Sequence, residues 1–156
     1  TMDIAVHKSR PKLDKHCKAF IGRSPFLCIG TANADGKADV SPRGDPPGFV
    51  QIIGDDQLFI PDRPGNNRFD TMANILENPD VGLLFIVPGF NDTLRVNGTA
   101  RIVQDDEKAE AAKIRGKAPK VGILVEVREA FLHCAKAFKR SNLWDPSAYQ
   151  DRGDFP

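Results

Sequence analysis

Short apolar runs punctuated by turn residues recur along the whole chain, and this spacing constrains the fold more than any other feature. The 13 glycines and 12 prolines of the 156-residue sequence cluster between those runs rather than inside them, a pattern of strands joined by tight reversals. Residues 26–32 and 37–40 read as two strands joined across Asn33-Ala-Asp-Gly36, whose Asp35-Gly36 pair suits a turn with positive φ. Further strands are expected at 49–53, 57–60, 81–87 and 93–103, and a last one carries Val121, Ile123, Val125 and Val127 on one face. The run 81–87 is continuous enough for burial on both sides. In 93–103, Leu94, Val96, Ala100 and Ile102 alternate with Arg95, Asn97, Thr99 and Arg101, so one face is core and the other wet.

Helical periodicity is confined to three places. Residues 12–21 bring Leu13, Cys17, Phe20 and Ile21 to one side, with Ser9 or Asp14 near the start. Residues 67–78 bring Phe69, Met72, Ala73 and Leu76 together, with Asn66 or Asn67 as cap and Pro79 as stop. A short helix is expected from 105 to about 114, followed by a basic loop at 115–120. Helices do not alternate one for one with strands, which disfavours a doubly wound parallel sheet. The expected fold is mainly β with peripheral helices: a small antiparallel barrel of six or seven strands, whose closure removes exposed edges.

With 40% hydrophobic and 28% charged residues, a chain of this length supports one compact domain without disulfide or metal staples. That domain is expected over 9–146, with 147–156 as a C-terminal tail. Lys+Arg 22 against Asp+Glu 21 gives a net charge of +1, so no global field favours nucleic acid or an anionic membrane. The apolar runs are far shorter than a bilayer span, and no charged-then-apolar leader precedes them, which predicts a soluble, unexported protein. Three cysteines, Cys17, Cys28 and Cys134, without C-x-x-C spacing point to a reducing compartment, read as the cytoplasm.

Candidate chemistry gathers in a few segments. Residues 60–68, Ile-Pro-Asp-Arg-Pro-Gly-Asn-Asn-Arg, place a Pro-Gly loop between a strand end and a helix start. Free N–H groups there, with Arg63 and Arg68, outline an anion site; a capped helix with solvated arginines explains the same pattern. The segment Ser41-Pro-Arg-Gly-Asp-Pro-Pro-Gly48 is too rich in proline for a central ladder and is expected to be a shaped loop. Ser41 and Arg43 would project from a strand end toward whatever the helix start binds, or Arg43 would pair with Asp45 in a rigid turn. Arg95 and Arg101 stand on the wet side of their strand, suited to a ligand carbonyl or phosphate or simply solvated. The pairs His16-Cys17 and His133-Cys134 lack metal-ligand spacing, and Cys17 and Cys28 read as core. Residues 133–144 join cations to the single tryptophan, either over a planar ligand or as a docking helix whose Phe138, Leu143 and Trp144 pack on the barrel.

Five segments in this order resemble the pyridoxamine 5′-phosphate oxidase-like flavoproteins with the FMN-binding split β-barrel. They are 39–48, 61–68, 74–79, 94–100 and 133–144, and the likeness runs from about Leu13 to Pro146. The resemblance implies a homodimer with FMN at the subunit interface and a small-molecule substrate. It implies that Ser41, Arg43, Asn67 and Arg68 hold the flavin phosphate with Arg63 close by, and that Pro42 also belongs to the cofactor-binding residues. Ile60, Pro61 and Asp62 would run beside the ring, and Thr93, Arg95, Lys136 and Trp144 would come from the partner subunit. The implied activity is FMN-dependent hydride transfer. A flavin store without turnover, or the same barrel holding a deazaflavin or haem, are the alternatives. Authentic pyridoxamine phosphate oxidases end in an R-x-H pattern that Ser147 to Pro156 lacks, which counts against vitamin B6 oxidation. The arginine-lysine pair that usually opens the middle helix is here Asn67-Arg68.

Overall fold

A computed structural model of the chain describes residues 12–63, 69–104, 121–134 and 136–156, the side chain of Phe69 aside. Helix α1 (Lys15–Arg23) precedes strands β1 (Phe26–Ala32), β2 (Ala38–Gly44), β3 (Gln51–Ile53) and β4 (Gln57–Pro61). Helix α2 (Phe69–Glu77) leads into β5 (Asp80–Ile86), β6 (Thr93–Val103) and β7 (Gly122–His133), then helix α3 (Lys136–Ser141) and a 3-10 turn (Pro146–Ala148). The strands form one seven-stranded sheet in the order β2-β1-β5-β6-β7-β4-β3. Every pairing is antiparallel. The sheet curls around a single apolar core, and no ladder joins its edges β2 and β3.

Period-two alternation does the positioning. Cross-strand neighbours share a face, so the row Leu27, Phe85, Leu94 and the row Ile29, Leu83, Val96 lie inside and are buried. The strand expected to be buried on both sides, β5, instead alternates: Val81, Leu83 and Phe85 are buried while Gly82, Leu84 and Ile86 are half-buried on the outer face. Cys28 also lies on that outer face, half-buried rather than in the core, whereas Cys17 is core. β6 keeps its alternation through Asn97 and Gly98, while its register against β7 shifts there from Glu129 to Val127, the signature of a bulge in β7.

Asp14 is the cap of α1: its carboxylate accepts the Cys17 N–H at 2.8 Å. That bond holds the Asp14 carboxyl below its ordinary range. The helix buries Cys17, Phe20 and Ile21 into the barrel core, and the Leu13 N–H donates to the Asp55 carbonyl at 2.8 Å, tying it to the β3–β4 turn. Helix α2 is anchored to β1 through Asn74 Nδ2, which donates to Thr31 Oγ1 at 3.0 Å. The expected caps Ser9, Asn66 and Asn67, the helix at 105–114 and the basic loop at 115–120 lie outside the described residues.

One expectation is corrected. Ser41 to Gly44 is not loop but the end of β2, paired Ser41 with Ile29, Pro42 with Cys28 and Arg43 with Leu27. β2 is an edge strand, and an edge strand has one unpaired side on which the missing N–H of Pro42 costs no ladder bond.

Candidate functional site

The continuation of β2 as strand decides where its side chains go. Ser41 and Arg43 fall on the inner rows with Ile29 and Leu27, and both are buried. A guanidinium there needs a counter-charge, because removing it from water costs several kcal/mol. Asp62, the residue after β4, supplies one: Arg43 Nη1 donates to Asp62 Oδ1 at 3.2 Å, with the arginine side chain 2% exposed and the aspartate 25%. The Asp62 N–H donates to the Val121 carbonyl at 3.0 Å, which fixes the carboxylate's backbone. The next residue reaches the other way: Arg63 Nε donates to Asp45 Oδ2 at 3.0 Å. Asp45 is itself tethered by its N–H to the Pro25 carbonyl at 3.1 Å.

Two ion pairs, Arg43–Asp62 and Arg63–Asp45, thus cross between the end of β2 and the end of β4. These strands are not neighbours in the sheet, so the pairs span the gap that the ladders leave open. The alternative of an Arg43–Asp45 turn is replaced by this exchange of partners. Beside the pairs, Ser41 Oγ is buried without a hydrogen-bond partner, an arrangement costing about 1–3 kcal/mol unless something bonds to it. Ile60 and Pro61 are buried just before Asp62, opposite Ile123 and Gly122 of β7. A buried cation, an unsatisfied hydroxyl and a strand end together make a seat for an anionic group with hydrogen-bonding oxygens.

The remaining expected residues lie elsewhere. Thr93 and Arg95 belong to outer rows: Arg95 continues the row Pro42, Cys28, Leu84 and faces Phe131 across β7. The sheet order puts β6 three strands from β2, about 14 Å at ordinary strand spacing. Arg95 is exposed and stands 5.3 Å over the Phe131 ring, a cation–π contact that steadies it without neutralising it. Phe131 in turn meets His133 edge-on at 5.1 Å. The Trp144 indole N–H donates to the Phe90 carbonyl at 2.8 Å and its ring meets Phe138 edge-on at 5.8 Å. The tail therefore folds back as a docking segment. Lys136 is exposed at the start of α3. Asn67 and Arg68 lie outside the described residues. Within one chain, then, Ser41, Arg43, Asp62 and Arg63 are gathered, and Thr93, Arg95, Lys136 and Trp144 are not gathered with them.

Sequence reasoning missed two features. The sequence suggests Asp45 only as a turn partner of Arg43, whereas it accepts from Arg63 across the gap. A shallow groove of about 600 Å³ on the outer face, floored by Gly30 and Gly82 and flanked by Val40 and Asn97, was not foreseen. It follows from facing glycines paired in register. The thiols are graded by environment: burial pushes Cys17 up to about 11 and also raises Cys28, while Cys134 is exposed. Among the described residues no three of His, Cys, Asp and Glu converge as a metal site, and no helix is long and apolar enough to cross a membrane.

The profile of the pyridoxamine 5′-phosphate oxidase family matches residues 13–134. The chain belongs to that family, and its seven antiparallel strands form the family's split barrel. A comparison with curated proteins gives no match. Solved structures with the same fold include HupZ of Group A Streptococcus, at 18% identity and a TM-score of 0.65 over 79% of this chain and 95% of that one. A pyridoxamine 5′-phosphate oxidase-type protein of Lactobacillus delbrueckii is 21% identical with a TM-score of 0.57, over 79% of this chain and 96% of its own. The FAD binding protein of Mycobacterium smegmatis is 14% identical with a TM-score of 0.53, over 78% and 94%. At these identities the likeness is one of fold.

Proposed function

We propose that this chain is an FMN-dependent oxidoreductase acting on a small molecule as a homodimer, with two flavins at the subunit interface. The observation that carries this reading is the buried pair Ser41 and Arg43 at the mouth of the split, a cation and an unsatisfied hydroxyl on one strand face. Both suit a phosphate monoester, which accepts from a guanidinium and from a hydroxyl at once. In this reading Ser41 and Arg43 hold the phosphate, with Pro42 between them lining the cofactor site, Arg63 beside them and Asn67 and Arg68 from the following loop. Ile60, Pro61 and Asp62 border the ring.

The second copy supplies Thr93, Arg95, Lys136 and Trp144. Two features support it: Thr93 and Arg95 belong to the outer rows of the sheet, and that face is apolar. Phe26, Cys28, Leu84 and Ile86 are half-buried there and Val40 and Phe131 exposed, the composition of a surface that associates. When bound, flavin supplies hydride transfer to or from the small molecule. The chain's own residues bind and tune. Arg43 anchors, the apolar outer face excludes water, and the exposed guanidinium of Arg95 stabilises negative charge that develops at the sheet surface. A reducing, cytoplasmic setting accords with three free cysteines.

The test is a visible absorption spectrum of the purified protein, before and after adding FMN and desalting. Retention of oxidised flavin near one per chain, lost in Arg43→Ala, supports the reading. A haem or deazaflavin band would reassign the ligand, and a colourless protein that retains no FMN overturns it. Retained flavin that neither NADH nor NADPH reduces and no acceptor reoxidises would leave the storage alternative.

A further inference from the structure

The carboxylates of the crossed pairs stand where an incoming anion would have to bind. Arg43 is held at 3.2 Å, longer than the roughly 2.7–2.9 Å of a strong charge-assisted bond. Asp62 is a quarter exposed, so its carboxylate reaches water by a side-chain rotation alone. Ser41 Oγ, two residues along the same inner face, has no partner to give up. Among Arg43, Asp62, Arg63 and Asp45 the formal charges cancel. An added anion leaves these four with an excess of negative charge, which withdrawal of one carboxylate to solvent reduces by one, and Asp62 is the more exposed of the two.

We propose that Asp62 is an exchangeable counter-ion, a positioning residue that keeps Arg43 charged and aimed while the seat is empty and yields it to a phosphate monoester. Arg63–Asp45 stays closed meanwhile and keeps the ends of β2 and β4 in register. The proposal rests on the phosphate reading of this seat given above. It adds that the site takes an oxyanion that replaces the Asp62 charge at Arg43 and bonds Ser41 together. It also sets the affinity of the site below what Arg43 alone would give, since each binding event must displace an internal carboxylate.

The experiment measures binding of inorganic phosphate and of FMN by titration calorimetry to wild type, Asp62→Asn and Asp62→Glu. Exchange predicts that Asp62→Asn binds inorganic phosphate about tenfold more tightly, ~1.4 kcal/mol, while Asp62→Glu binds phosphate as wild type does. Equal or weaker phosphate binding by Asp62→Asn overturns it. In case Asp62→Asn does not fold, wild type labelled with 13C-aspartate gives an independent reading. On adding phosphate, the Asp62 carboxyl resonance moves toward that of solvated aspartate; an unmoved resonance with phosphate bound overturns the exchange. Phosphate binding without FMN binding removes the flavin reading and leaves the exchange standing. Binding of neither removes both.

Discussion

Arg43 and Arg95 are the same residue on the same sheet, three strands apart, and their surroundings are opposite. Arg43 is buried on the inner face and faces Asp62; Arg95 is exposed on the outer face and leans on the Phe131 ring. The first sits on a row with Leu27, Phe85 and Leu94, the second on a row with Pro42, Cys28 and Leu84. The contrast teaches that parity within a strand, rather than residue type, separates a buried cation paired with a carboxylate from one exposed on the outer face.

The largest effect expected from breaking this contrast is on stability. Asp62→Ala leaves the buried Arg43 without that counter-charge and is expected to cost about 3 kcal/mol in denaturant unfolding. Arg95→Ala, which removes an exposed cation, is expected to stay within about 0.5 kcal/mol. Equal losses would mean that burial does not distinguish the two arginines.

Next in size is cofactor binding. Arg43→Ala is expected to weaken FMN roughly 100-fold, about 2.7 kcal/mol, within the range of bonds to charged groups. Arg95→Ala is expected to leave binding within about tenfold and instead lower the flavin reduction potential by roughly 30 mV, 1.4 kcal/mol for two electrons. Spectroscopic titration and a redox dye equilibrium check the two in parallel.

A smaller effect belongs to the α1 cap. Asp14→Ala is expected to cost about 1 kcal/mol at neutral pH. The Asp14 carboxyl is lowered in the folded chain by its bond from the Cys17 N–H. Its contribution is therefore fully present above the ordinary aspartate pKa and is lost as pH falls through the lower folded value. Wild type and variant should accordingly converge in acid, measured as unfolding midpoints across pH. The smallest perturbation is chemical labelling. At neutral pH an alkylating reagent followed by mass spectrometry should modify Cys134 first, Cys28 more slowly and Cys17 last, because exposure falls in that order and burial raises the Cys28 and Cys17 thiols. Early labelling of Cys17 would place α1 outside the core.

Much of the fold was legible because alternation and turn residues are local. The bounds of β1 and β6 follow from periodicity alone, and Asp14 announces its cap. The extent of β2 was not legible: proline in Ser41 to Gly44 forbids a central ladder, yet whether a strand is central or at an edge depends on partners far along the chain. The same non-local fact hid the crossed pairs, since Arg43 meets Asp62 only when the barrel curls β2 toward β4. Residue types at the site were legible. Their separation onto two faces was not, because the hairpin register that sets the parity of β6 against β2 passes through β1 and β5.

The central claim is that the two faces are united by a second copy around a shared flavin. Sedimentation velocity after adding FMN, followed at the protein and the flavin absorbance together, tests it directly. The account predicts flavin migrating with a dimer at one per chain, and loss of that flavin signal in Arg43→Ala with the dimer retained. Flavin migrating with a monomer, or a dimer that carries none, would contradict it.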